Sequence, residues 1–181
     1  MPAPSGGGEA GGAVKGGGAR GFSLVEMVVV IAILGALATL AFQSLHIAGE
    51  RESLAAERLA CDVRYAQGWA LMSHNPTWVA FDTANNRYTV YVEDPANPGK
   101  AGRVALADPW TNLPSYQVAL GDNETGGVTL ASPDFGGDTE VKFDRNGLAY
   151  DSNGVALASD GSVRVGARTV TVSPAGWVGV S

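Results

Sequence analysis

The sequence predicts an α+β fold in which one long N-terminal helix packs on antiparallel β-strands. Three observations carry that prediction. Residues 27–42 form an apolar run without a charge or a proline. Residues 50–74 place apolar side chains at spacings of three and four, which is one face of a helix. Beyond Asn75-Pro76 the chain breaks into short β-rich runs punctuated by Asn, Asp, Gly and Pro. The 181 residues suffice for one ordinary domain with appendages.

Residues 1–21 contain nine glycines and no Leu, Ile, Phe or Tyr, so they cannot build a core and read as a leader. Residues 22–45 are long enough to span a bilayer, since about 20 residues suffice. A cleaved secretory peptide would have a shorter apolar stretch with the small residue after it. Here the small residue, Gly21, comes before it. Lys15 and Arg20 place the N-terminus in the cytoplasm by the positive-inside rule, with Arg51 and Arg58 as a weaker counterweight.

Residues 46–75 form the amphipathic half of the same helix. Leu54, Ala55, Leu59, Val63, Ala66 and Ala70 share its apolar face. Glu52, Glu57, Arg58, Asp62 and Arg64 fall largely elsewhere. Cys61, the single cysteine, reads as a small buried residue, with an intermolecular bridge as the minor option. Proline disfavours helix in the residue before it, so the helix ends near residue 74. A helix over 22–74 is roughly 80 Å long.

Residues 76–181 supply what the amphipathic half packs against. Trp78–Phe81 and Tyr88–Val92, joined by Asp82–Asn86, read as a hairpin. Four prolines make 93–114 an irregular loop with at most short pieces of order. Tyr116–Leu120, Gly127–Leu130 and Glu140–Phe143 read as further strands. Ser162–Val165 and Arg168–Val172 flank a two-residue Gly166-Ala167 turn. That turn sets Val163 opposite Val170 and Val165 opposite Arg168. Val163, Val165, Val170 and Val172 then share one face, and Arg164, Thr169 and Thr171 the other. Trp177–Val180 closes the chain.

One carboxylate, Glu26, sits almost at the start of the apolar run. A charge at a helix centre in lipid costs about 2.5–3.5 kcal/mol on insertion scales. Complementing the helix dipole returns only about 0.3–1 kcal/mol. The acid therefore needs a use beyond capping.

With Gly21-Phe22-Ser-Leu-Val-Glu26 and the apolar helix behind it, the chain resembles the type IV pilin-like proteins. The stretches Val141–Gly147 and Arg168-Thr-Val-Thr-Val-Ser173 resemble the GspH/FimT-like branch, the minor pseudopilins; the middle, about 93–140, carries no stretch that adds to the resemblance. The resemblance implies cleavage by a prepilin peptidase between Gly21 and Phe22. It implies N-methylation of Phe22 and use of Glu26 in assembly, paired with a neighbour's new N-terminus. It further implies a single-pass inner-membrane protein with a periplasmic C-terminal domain, working with other pseudopilins or pilins. Type II protein secretion is the favoured machine. A type IV pilus minor pilin, for pilus assembly or DNA uptake, is the close alternative. An uncleaved signal-anchored periplasmic binding domain is a further one.

No catalytic set is visible, and no cofactor or metal is expected. His46 and His74 lie near opposite ends of the amphipathic half and cannot share an ion. Asp144–Gly147 and Asp151–Gly154 lack the spacing and terminal glutamate of calcium loops and read as Asx turns. The formal charge of −6 includes +1 from residues 1–21, leaving −7 on the rest, which argues against broad nucleic-acid binding. Arg164 and Arg168 are candidate DNA contacts by resemblance to some FimT-like pilins, with ordinary surface arginines the preferred reading. Trp69, Trp78, Trp110 and Trp177 read as core or interface anchors.

Overall fold

The computed structural model describes residues 23–121 and 127–181, and within the helix the side chains of 39–48 lie outside that description. Helix α1 runs Leu24–Ser73. The chain divides into two compact units, residues 1–41 and 42–181.

In the first unit, every described side chain from Ser23 to Ala38 is exposed. Leu24 is 79% exposed and Ile31 68%. Among the described residues, no helix is long and apolar enough to cross a membrane. Phe22 and the side chains of 39–45, part of the span expected over 22–45, fall outside them.

In the second unit the remainder of α1 is followed, among the described residues, by ten strands: β1 (Thr77–Asp82), β2 (Arg87–Val92), β3 (Val104–Ala105), β4 (Gln117–Ala119), β5 (Leu130–Asp134), β6 (Glu140–Phe143), β7 (Ala149–Asp151), β8 (Gly161–Val165), β9 (Arg168–Val172) and β10 (Val178–Val180). They form two antiparallel sheets. The first has the order β3-β2-β1-β6-β7, with β4 also pairing β2, and the second β10-β9-β8-β5. Helix side chains Ala55, Ala56, Leu59, Ala60, Val63, Ala66 and Ala70 share one core with both sheets. Burying such a face is what stabilises a helix whose own propensity is marginal.

The last hairpin has the expected register: Val163 pairs Val170 and Val165 pairs Arg168. All four valines of its inner face are fully buried. The first hairpin also forms, from Thr77↔Val92 to Asp82↔Arg87. Asn86 closes its turn at φ 51°. The Asn86 side chain donates to the carbonyls of Leu120 and Val128 and accepts from the Leu130 N–H. One asparagine thus ties β2 to the approach of β5.

Several expectations need correction. Gly127–Leu130 is not the strand; it begins at Leu130 and runs to Asp134, with a bulge between Ala131 and Asp134. β7 was not foreseen, whereas the loop over 93–114 holds only short pieces of order, among them β3. Leu54, assigned to the buried face, is 70% exposed. Cys61, expected buried, is exposed. Asp62, assigned to the polar side, is 6% exposed. The helix meets two sheets rather than one, which moves the buried arc toward residues 56, 60 and 62.

Candidate functional site

Glu26 sits in the first turn of α1, where the Met27 N–H bonds to the Ser23 carbonyl at 3.1 Å. It is the single charged residue from Ser23 to Ala38, and its neighbours Val25, Met27 and Val30 are all exposed. Among the described residues none pairs with it. Gly21 and Phe22, the expected cleavage and methylation sites, lie outside the described residues. His46 is likewise without a described side chain, and His74 is exposed just past the helix end.

The other helix carboxylate, Asp62, is treated differently. Tyr88 Oη on β2 donates to one carboxylate oxygen and Tyr116 Oη, just before β4, donates to the other at 2.6 Å. Burial pushes the Asp62 carboxyl up, and the two tyrosine hydroxyls and Arg58 counter only part of this. Burial and the adjacent carboxylate together raise both tyrosines. Hydrogen bonds to a charged group contribute about 1.5–3 kcal/mol each, so the cluster is a strong clasp between helix and first sheet. Sequence reading missed it. A signal was present: Asp62 lies three residues from Leu59 and four from Ala66, inside the apolar arc.

Further polar side chains of the helix fasten the body. Glu52 accepts from the Ala167 N–H in the β8–β9 turn at 3.0 Å, and Ser53 Oγ accepts from Arg168 Nε at 3.1 Å. Gly166, at φ 60°, leaves no room for a side chain because a Cβ there would lie 2.5 Å from the Glu52 carboxyl carbon. Arg64 donates to the Val178 carbonyl and Gln67 to that of Gly147, each at 2.8 Å. Thr77 Oγ1 donates to the Ala66 carbonyl.

Arg164 and Arg168 are not brought together. Arg168 lies on the face of the buried valines, turned to the helix, whereas Arg164 pairs Thr169 on the opposite face. They form no joint basic patch.

The remaining polar groups are structural. Asp144 accepts from the N–H groups of Asn146 and Leu148, and Asp151 from those of Asn153 and Val155. These are Asx turns, as expected. Lys100 Nζ lies 2.6 Å from Ser152 Oγ, whose hydroxyl meets Asp138. A serine–lysine pair of this kind invites a nucleophilic reading. However, Ser152 is buried, and the lysine also pairs with Glu140 at 3.3 Å, so it is a cation donating rather than a base accepting. Burial raises Asp138, but the Ser152 hydroxyl, the Thr139 N–H and Lys100 outweigh it, leaving the carboxyl below its ordinary range. Among the described residues no group of His, Cys, Asp and Glu could hold a metal ion.

The prokaryotic N-terminal methylation motif matches residues 17–42. The fold is similar to two structures of the minor pseudopilin EpsH from the type II secretion system of Vibrio cholerae. Identity to both is 13%, and the TM-scores are 0.52 and 0.53. The matches cover 72% and 73% of this chain and 94% and 96% of theirs. The type IV minor pilin FimU of Pseudomonas aeruginosa is 16% identical over 71% of this chain and 87% of its own, with a TM-score of 0.43. No curated protein matches the sequence. The model of type II transport protein GspH matches residues 55–176, well over half of the chain, and the chain therefore belongs to that family.

Proposed function

We propose that the chain is a minor pseudopilin of a type II protein secretion pseudopilus, held in the inner membrane by residues 22–45. In this reading residues 1–21 are a leader removed by a prepilin peptidase, and Phe22 becomes the methylated N-terminus. Residues 46–75 carry the helix into a periplasmic β-rich body over 76–181. The observation that carries the reading is Glu26: a lone carboxylate on an exposed apolar helix, with no Asp, Glu, Lys or Arg between it and Glu50.

The chemistry follows from the charges. Cleavage frees an α-amino group with a pKa near 8, largely protonated at neutral pH. In lipid that ammonium and the Glu26 carboxylate are each costly alone, and pairing them offsets both penalties. The amine of one subunit against Glu26 of its neighbour fixes axial register. Gly21 suits the cut because it gives a peptidase unobstructed backbone. The body does no chemistry in this reading; it is a rigid unit displayed on the helix.

Two measurements test this. Mass spectrometry of the membrane-extracted protein is expected to show methylated Phe22 as the N-terminus, and an intact leader contradicts the reading. Glu26→Ala is expected to be processed yet absent from crosslinked assemblies, and its normal incorporation overturns the assembly role.

A further inference from the structure

Two turns of the β-rich body are near-copies of each other. Asp144-Arg-Asn-Gly-Leu148 joins β6 to β7, and Asp151-Ser-Asn-Gly-Val155 follows β7. Asp144 Oδ1 accepts from the N–H groups of Asn146 and Leu148, both at 2.9 Å. Asp151 Oδ1 accepts from those of Asn153 and Val155, at 2.9 and 2.7 Å. In each turn the glycine N–H donates to the aspartate carbonyl, at 2.9 Å for Gly147 and 3.1 Å for Gly154. Both glycines have positive φ, 76° and 86°.

Their surroundings differ. Gly147 is buried, and its carbonyl accepts from Gln67 Nε2 of α1 at 2.8 Å. A Cβ at Gly147 would meet Leu71 at 3.2 Å and Gln67 at 3.3 Å, so the helix closes over this turn. The Asn146 side-chain amide is itself tied, donating to Asp144 Oδ2 at 3.1 Å. At the second turn residues 153–156 are all exposed. A Cβ at Gly154 would meet only Lys142 Nζ, the end of a flexible side chain, at 3.5 Å. Among the described residues nothing bonds the Asn153 side-chain amide.

An asparagine followed by glycine carries a latent reaction. The glycine nitrogen can close on the asparagine Cγ to give a succinimide, and glycine has no side chain to hold the two apart. Closure requires that nitrogen to leave its hydrogen bond and turn toward Cγ. A turn held only by its own bonds opens readily, whereas one docked under a helix must first undock.

We propose that Asn153–Gly154 is a self-modification site, which deamidates in the folded chain while docking on α1 protects Asn146–Gly147. The Gly154 nitrogen attacks Asn153 Cγ. A C–N bond forms between them, the Cγ–Nδ2 bond breaks, and the amide leaves as ammonia, carrying the proton of the Gly154 N–H. Water then opens the succinimide. Attack at Cγ leaves aspartate at 153, and attack at the main-chain carbonyl leaves isoaspartate, with one extra atom in the backbone. Either product adds one carboxylate to a chain whose formal charge is −6. The reaction goes beyond the secretion reading and needs no partner but water.

The test ages the full chain in detergent at mildly alkaline pH, beside a sample unfolded in guanidinium chloride. Proteolysis and mass spectrometry follow both peptides, with released ammonia and isoaspartyl methyltransferase labelling as second readouts. In the folded chain residue 153 is expected to convert about tenfold faster than residue 146, or more. In the unfolded chain the two should convert at similar rates. Asn153→Gln, at an exposed position, should abolish the ammonia released by the folded chain. Equal conversion of 146 and 153 in the folded chain overturns the proposal. So does retention of both amides in the folded chain while the unfolded chain converts. The same preference for 153 in both samples also overturns it, because the cause would then be local sequence rather than docking.

Discussion

Two carboxylates on one helix, Glu26 and Asp62, meet opposite circumstances. Asp62 is buried, and the chain itself supplies its partners in Tyr88 and Tyr116. Glu26 is exposed among apolar side chains, and among the described residues none answers it. The same chemical group is therefore an internal clasp in one region and, among the described residues, an exposed and unpaired acid in the other. The comparison shows how to separate stability from assembly. Where the fold completes a polar group, the effect of mutation is expected in folding; where it does not, the proposed function puts the effect in assembly.

The sharpest way to break this contrast is to remove each acid. Asp62→Ala leaves two buried hydroxyls without an acceptor, at about 1–3 kcal/mol each, so urea unfolding should show a loss of about 4 kcal/mol. Glu26→Ala should leave the same transition unchanged while abolishing assembly. Equal effects on unfolding would erase the distinction. Next in size, Leu59→Ala, at a fully buried position, should cost about 2–5 kcal/mol, while Leu34→Ala, 59% exposed, should cost the body nothing measurable by the same denaturation. Tyr116→Phe removes one bond to Asp62 and should cost about 2 kcal/mol; a neutral result would mean that Tyr88 alone holds the carboxylate.

The smallest effect is in pH. Burial raises the Asp62 carboxyl above its ordinary value near 3.8. The folded state then holds this proton more tightly than the unfolded chain does. The stability that proton contributes is fully present below about pH 3.8 and is lost as pH rises through the raised folded value. Relative to Asp62→Asn, wild type should lose stability as pH climbs above about 4, by at most about 1.4 kcal/mol per pH unit. Unfolding free energies of the two forms across pH 4–8 check this. Parallel profiles would show that the carboxyl is not raised.

Much of this was legible in the sequence, for identifiable reasons. The closing hairpin was readable to the residue because a two-residue turn fixes register and a one-residue slip would turn four valines outward. At the N-terminal end the helix from Leu24 and the methylation motif were readable, because an uninterrupted apolar run without proline favours helix. The loop after Val92 was less legible: β3 spans two residues, Val104–Ala105, and no periodicity shows in so short a piece. The buried arc of α1 was displaced because apolar periodicity reports a face, whereas the tyrosines that draw Asp62 inward lie 26 and 54 residues further along.

The sequence by itself determined what is local: helix first, strands after, the register of the last hairpin, and a lone acid at the head of an apolar run. These follow from side-chain period and turn chemistry, which act over a few residues. Tertiary structure alone decided that Asp62 is a clasp, that Leu54 and Cys61 face outward, that Arg164 and Arg168 part company, and that Trp110 is exposed. Each of those depends on which distant segment arrives against the helix, and arrival is set by packing two sheets around a single core.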